Sequence, residues 1–338
     1  MTTTAQAPEH AVPAKANRSH PVRSLVLRRS GLGLLSLLVV TALVYFATIV
    51  LPGDAASAIL GQSATPERLA ALREQLGLNQ SPIVGYWTWL THALTGNFGN
   101  SLSDPRPVTE IVGSRFYNSF ILVLATAIIS TVIGILLGAF AARHKDRPVD
   151  DVMSVIALAF SALPEFVVGV LVILVFAVGF FHWFPAISLL PPGELITSEP
   201  NKLVLPVVTL LIVVTPYVFR MVRAATIEAL SSDYAEVAEF KGVSGARLVM
   251  RHALPNALAP TIQVVGLNLL YLAGGIVLVE TVFNYPGIGL TLVGAVTNRD
   301  VPLIQFIVLV LAVFYIAINI ATDALVLYVT PRRRLPRG

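Results

Sequence analysis

Three carboxylates interrupt stretches that are otherwise apolar. Glu165 follows Pro164 in the stretch 152–181, Glu280 lies near the end of 262–283, and Asp323 sits within 303–329. A charge at the centre of a bilayer costs at least about 2.5–3.5 kcal/mol on insertion scales, so such a group must find a partner or serve a path. Two readings follow. All three lie on a gate or translocation path, or Glu165 and Asp323 pair with basic residues at the nearest interface while Glu280 stands in water. Asn268, within 262–283, and Asn284, just beyond it, are further candidates for lining a path, and Asn268 and Gln263 alternatively for bonding across helices.

The other reactive side chains form no catalytic pattern. There is no cysteine, which excludes disulfides, thiolate chemistry and cysteine metal sites. The four lysines are followed by Ala16, Asp146, Leu203 and Gly242, so none completes the G-x4-G-K-[ST] phosphate loop. The histidines never form H-E-x-x-H, and His252 has no second ligand near it in sequence. Gly242-Val243-Ser244-Gly245 lacks the spacing of a G-x-S-x-G nucleophile elbow. The expectation is a protein with no catalytic residue, no metal and no cofactor, unable to hydrolyse ATP by the phosphate-loop route.

The elements that would position these groups are membrane elements. The chain is 55% hydrophobic and 12% charged, where soluble domains carry about 25% charged residues. Behind Arg28 and Arg29, residues 31–51 form an uncharged run of 21 residues. A secretory signal has only about 7–15 apolar residues, whereas this run can cross about 30 Å of hydrocarbon. With apolar runs at about 118–142, 152–181, 203–224, 262–283 and 303–329, the prediction is an all-α polytopic protein with six transmembrane helices. Residues 1–27 read as a disordered tail, 28–51 as the first span, 52–117 as an extracytoplasmic loop or cap, 118–329 as a five-helix domain and 330–338 as a basic tail. Within the loop, Thr65-Pro66-Glu67 opens a helix that Gly77 ends, and Tyr86, Trp87 and Trp89 suit a membrane interface. Gly134 and Gly138 allow close helix approach, within the chain or to a second one. Most of the 23 Lys and Arg fall on one side if both termini are cytoplasmic.

That orientation also puts residues 233–260, DYAEVAEFKGVSGARLVMRHALPNALAP, in the cytoplasm. Asp233 and Glu236 have the D-x-x-E spacing of a capping box, which predicts a helix over 234–241. Gly242 ends it in a left-handed cap. Ser244 leads a second helix through His252 and Leu254, with Pro255 and Pro260 closing it. The result is a helix–Gly–helix elbow within 225–261.

The elbow resembles the EAA loop of ABC-importer permeases, EAA-x3-G-x9-I-x-LP, through Glu236-Val237-Ala238, Gly242, His252 and Leu254-Pro255. His252, within HALPNAL, is similar to the dipeptide, oligopeptide and nickel branch of that family. Val237 departs from the first Ala of the motif, and Ala238-Glu239-Phe240-Lys241-Gly242 from that branch's ARAKG. The likeness continues in Leu51-Pro52-Gly53-Asp54, Gly96-Asn97-Phe98-Gly99-Asn100-Ser101, Glu280-Thr281-Val282-Phe283-Asn284-Tyr285-Pro286-Gly287-Ile288-Gly289 and Arg299-Asp300-Val301-Pro302. At the tail, Asp323, Tyr328 and Pro331-Arg332 resemble the family's ending, with Thr330 in place of its Asp.

The resemblance implies a type I ABC importer permease (MetI-like) fold in the cytoplasmic (inner) membrane, working by alternating access. The implied partners are a second homologous permease chain (a heterodimer, with a homodimer as the alternative), two cytoplasmic ATPase subunits, an external substrate-binding protein and membrane lipid, with no nucleic acid. It places ATPase coupling on Asp233, Tyr234, Glu236, Ala238, Lys241, Gly242, His252, Pro255 and Asn256. Solutes of that branch include peptides, nickel chelates, sugars and opines. A secondary transporter working without ATPases is the competing reading, but it favours inverted repeats and midplane ligands, and no repeat relates the two halves. An intramembrane hydrolase lacks its nucleophile–base pair here.

Overall fold

The computed structural model describes residues 21–50, 55–60, 64–75, 81–191, 194–243 and 245–329. Among these, every regular element is helical apart from one isolated bridge between Asn100 and Pro107. Five helices are long and apolar enough to span a membrane: α1 (Pro21–Val50), α5 (Val108–Arg143), α8 (Asn201–Leu230), α11 (Leu254–Val282) and α13 (Val301–Val329). The first outer segment holds α2 (Ala55–Leu60), α3 (Pro66–Gln75) and α4 (Pro82–Leu94). Thr65 caps α3, its hydroxyl accepting from the Arg68 N–H at 3.4 Å. The expected stop at Gly77, the family-like stretch 51–54 and both chain ends, 1–20 and 330–338, lie outside the described residues.

The stretch 152–181, expected as one apolar span, is broken. It is two helices, α6 (Pro148–Ser161) and α7 (Glu165–Ile173), the latter prolonged by a π-helical turn over Leu174–Gly179, and the two meet at 101°. Pro164 has no N–H to give the preceding turn, and it pushes Leu163 away from helical backbone angles. The count is six spans when this bent pair is taken as one. Two further boundaries move. Helix α1 already includes residues 21–27, and α5 begins at Val108, ten residues inside the stretch read as outer loop.

Helix α8 is the most buried span and has neighbours on three sides. Against α5, a side chain at Gly134 would stand 2.6 Å from the Val218 Cβ, and one at Gly138 2.8 Å from the Phe219 carbonyl oxygen. The glycine pair therefore serves packing within this chain. Against α6, the Arg223 guanidinium grips the fully buried Asp150 with Nε–Oδ1 at 2.5 Å and Nη2–Oδ2 at 2.6 Å, the two-pronged geometry that fits arginine to a carboxylate. On the third side α11 closes a core around Leu122, Leu210, Leu272 and Phe283. A second core, around Val108, Ile288, Leu303 and Ile307, joins α5 to α12 (Ile288–Thr297) and α13.

Helix α1 stands at the periphery against α13 and α4. Arg29 Nε meets Asp323 Oδ2 at 2.9 Å. Near the other end, Tyr86 of α4 packs on Tyr45 and Phe46 and shares a hydrogen bond of 3.2 Å with Thr41. Leu35 and Leu43 of α1, and Ile128, Val132 and Leu136 of α5, remain exposed. Apolar faces of this kind on long helices are what a lipid-facing surface requires.

Candidate functional site

The elbow begins one residue earlier than the capping-box reading. The Ser232 carbonyl accepts from the N–H groups of Ala235 (2.9 Å) and Glu236 (3.2 Å). Ser232 thus holds the cap position, and Asp233 is the first residue of α9 (Asp233–Phe240). Asp233 and Glu236 both fall in the first turn, where the helix dipole favours negative charge. At the other end Gly242 has φ +82°, and the Val243 N–H reaches back to the Ala238 carbonyl at 3.1 Å. This is a Schellman stop. Val243 then packs with Ala235, Ala238 and Leu248.

The packing gives α9 two faces. Ala235 and Ala238 are buried against α10 (Gly245–Leu248), so Ala238 offers no surface to a partner and corrects the expectation of a contact there. Asp233, Glu236, Lys241 and Gly242 are exposed. So are Tyr234 (45%), Val237 (51%) and Phe240 (82%). The sequence motif does not point to Val237 and Phe240, because both depart from it. Their only signal was apolar side chains three apart on a helix that is otherwise polar on that side.

The second elbow helix does not end at its prolines. From α10 the chain makes a π-helical turn over Val249–Ala253 and runs on as α11, with Pro255 in its first turn and Pro260 inside it. Pro255 has no N–H to donate, and the widened turn before it lets the helix pass. Pro255 is exposed. Ser244 and the side chains of His252 and Asn256 lie outside the described residues.

At the outer end, Glu280 and Asn284 lie in a closed knot. Helix α11 ends in a second Schellman stop. Asn284 takes φ +47°, Tyr285 N–H donates to the Glu280 carbonyl (2.8 Å), and Asn284 N–H to the Thr281 carbonyl (3.3 Å). The Glu280 side chain is fully buried, which corrects the reading that it stands in water. Its carboxylate accepts from Ser119 Oγ at 2.5 Å and from the Leu290 N–H at 2.9 Å, in the first turn of α12. Any side chain at Gly287 would land on that carboxylate. Asn118 ties the knot to a 3₁₀ turn over Ile196–Ser198, its Nδ2 donating to the Pro286 carbonyl (2.9 Å) and its Oδ1 accepting from the Ile196 N–H (3.0 Å). The Pro-Gly-x-Gly stretch thus folds back over an acid on its own helix.

Arg299-Asp300-Val301-Pro302 works in the same manner. Arg299 (φ +56°) stops α12, and Asp300 begins α13 by accepting from the Leu303 N–H at 3.3 Å. The other oxygen of Asp300 receives the N–H groups of Leu102 and Ser103 and the hydroxyls of Ser101 and Ser103. The outer loop is clamped to α13 through this one buried carboxylate.

Glu165 and Asn268 come together in one region. An open cavity of about 530 Å³ lies between α8 and α11, its walls including Tyr217, Arg220, Asn268 and Tyr271. Tyr271 donates from its hydroxyl to Glu165 Oε2 at 3.0 Å. The Tyr271 and Tyr217 rings are 6.4 Å apart, and the Arg220 guanidinium stands 5.4 Å from the Tyr217 ring centre, within cation–π range. Asn268 Nδ2 is buried and finds no hydrogen-bond partner among the described residues. Asp323 lies outside this cavity's lining and pairs with Arg29.

Two family profiles cover nearly all of this architecture. Residues 134–335 match the binding-protein-dependent transport system inner membrane component, and residues 22–125 match the N-terminal part of such membrane components. The chain belongs to this family. It is 36% identical over 310 residues to the glutathione transport system permease protein GsiC of Salmonella choleraesuis, covering 91% of this chain and 98% of that protein. The GsiC protein of Escherichia coli K12 is 34% identical over 304 residues, covering 90% and 96%. A probable peptide ABC transporter permease protein of Sinorhizobium fredii is 35% identical over 283 residues, covering 84% and 90%. The protein is a multi-pass inner-membrane permease of a binding-protein-dependent ABC importer, and in this family ATP is hydrolysed by separate ATPase subunits.

Proposed function

We propose that this chain carries peptides or closely related solutes, paired with a second homologous permease chain and driven by two ATPases that dock on the elbow. The relatives named for glutathione and peptide transport support the solute class. Both termini and the elbow are cytoplasmic, as the placement of Lys and Arg favours. ATP binding draws the ATPases together, the elbows transmit that motion to the spans, and the path opens alternately to the binding protein and to the cytoplasm.

The observation that carries this reading is the two-faced α9. One face is locked down by Ala235, Ala238 and the Gly242 stop, and the other presents Tyr234, Val237 and Phe240. Exposed aromatic groups on a short, fixed helix mark a surface that another protein covers. The test is Phe240→Ser. It should leave the permease at normal abundance in the membrane while lowering the ATPase recovered with it at least fivefold. Full ATPase recovery and full uptake would overturn the docking face.

A further inference from the structure

Arg220 has no place in the coupling scheme. It lies on α8 three residues, about 4.5 Å, further from the helix's C-terminal end than Arg223. Arg223 is neutralised by Asp150. Arg220 is exposed to the α8–α11 cavity and makes no ion pair among the described residues. A guanidinium inside a span, facing lipid with no counter-charge, is costly, so this wall must face water, protein or solute. Beside it Asn268 lines the same wall, its amide nitrogen buried away from the open space. An exposed guanidinium on a cavity wall asks for an acceptor, and the two-pronged geometry of arginine suits a carboxylate best. At the other end of the tyrosine row stands a group of opposite character, Glu165, held by Tyr271. A phosphate would gain from Arg220 but be repelled by Glu165. A solute carrying both a carboxylate and an ammonium gains from both.

We propose that the α8–α11 cavity is a solute site on the translocation path, in which Arg220 holds the carboxylate of a zwitterionic peptide and Glu165 takes its ammonium. The proposal rests on the peptide reading above and adds to it the recognising groups. The permease itself then prefers solutes with free ends, independently of the binding protein.

The test is binding of a dipeptide to the permease–ATPase complex in neutral phosphatidylcholine nanodiscs, without the binding protein. The dipeptide is offered as the free acid, the C-terminal amide and the N-acetyl form. Wild type should bind the free acid at least tenfold more tightly than the amide. R220Q should bind the two alike, R220K should keep part of the preference, and E165Q should lose the preference for the free ammonium over the N-acetyl form. E165Q keeps the hydrogen bond to Tyr271, so it removes charge more than shape. If R220Q does not assemble, R220K carries the comparison with a preference reduced at least threefold.

No acid preference in wild type, or a preference unchanged in the Arg220 variants, overturns the site. So does displacement of the peptide by added phosphatidylglycerol at equal occupancy, which would mark a lipid-phosphate site. Uptake by the complete importer separates the two readings. Peptide uptake without any Arg220-dependent preference sinks the site alone, and acid-selective binding without uptake of any peptide sinks the transport reading alone.

Discussion

Gly242 is the residue where backbone chemistry bears most directly on transport. Its φ of +82° is the left-handed region, and nothing lies within 4 Å of where a Cβ would stand. The penalty of Gly242→Ala is therefore conformational alone, about 1–2 kcal/mol. That is too little to unfold packed spans but enough to turn α9 on its base. Abundance in membranes should stay near normal while uptake falls severalfold and ATP hydrolysis continues. Uptake and ATPase rate measured on the same membranes decide the matter, and normal uptake would refute the lever. The same scale shows what residue types alone conceal. Asn284 and Arg299 also take positive φ and also stop helices; Asn is a residue that accepts the left-handed cap, whereas Arg is not, so Arg299 carries no stop signal in its sequence. In sequence Arg220 is one of 23 Lys and Arg that bear on the orientation of the chain, whereas its further meaning comes from Tyr271, some 50 residues away on α11.

Helix positions were legible at the scale of elements, and their connections were not. The apolar runs fall on α1, α5, α8, α11 and α13 because a span must be long and uncharged, and this constraint is written in composition. The 101° break at Pro164 is not. A proline inside an apolar run reads equally well as a mild kink, and α8 carries Pro206 and Pro216 without breaking. What separates the cases is packing. Helix α8 is enclosed by α5, α6 and α11, whereas α6 and α7 reach α8 at separate places. The unbroken passage from α10 into α11 was hidden likewise, because a widened turn absorbs a proline without changing the residue pattern. The close approach of α5 to α8 supplies a prediction. Gly138→Leu must displace Val222 or the Phe219 backbone, and overpacking of this kind costs about 1–3 kcal/mol or more. Membrane abundance should fall at least threefold. Gly113→Ala, on the same helix with nothing within 4 Å, should leave abundance unchanged. Equal behaviour of the two variants would show that the α5–α8 contact does not set stability.

At the scale of the whole molecule, the Arg29–Asp323 pair joins the first span to the last. Both side chains are partly exposed, with 53% and 33% of their side-chain surface accessible, and pairs of this kind contribute about 0–1 kcal/mol. Asp323→Asn should therefore leave abundance and uptake within twofold of wild type. A loss of uptake at normal abundance would instead place Asp323 on the path. The larger meaning of this contact concerns time. Helix α1 meets its main neighbour only when α13 exists, and about 290 residues of synthesis separate the two. At roughly 5–20 residues per second, α1 waits about 15–60 s in the bilayer with one flank unclaimed. Its long, almost charge-free apolar surface suits that interval, because lipid satisfies it at once while α13 is still being made. The permease therefore closes its outermost seam last, at the end of translation, so cells making a chain that stops short of α13 should show α1 crosslinking to lipid or to the insertion machinery instead of to its own core.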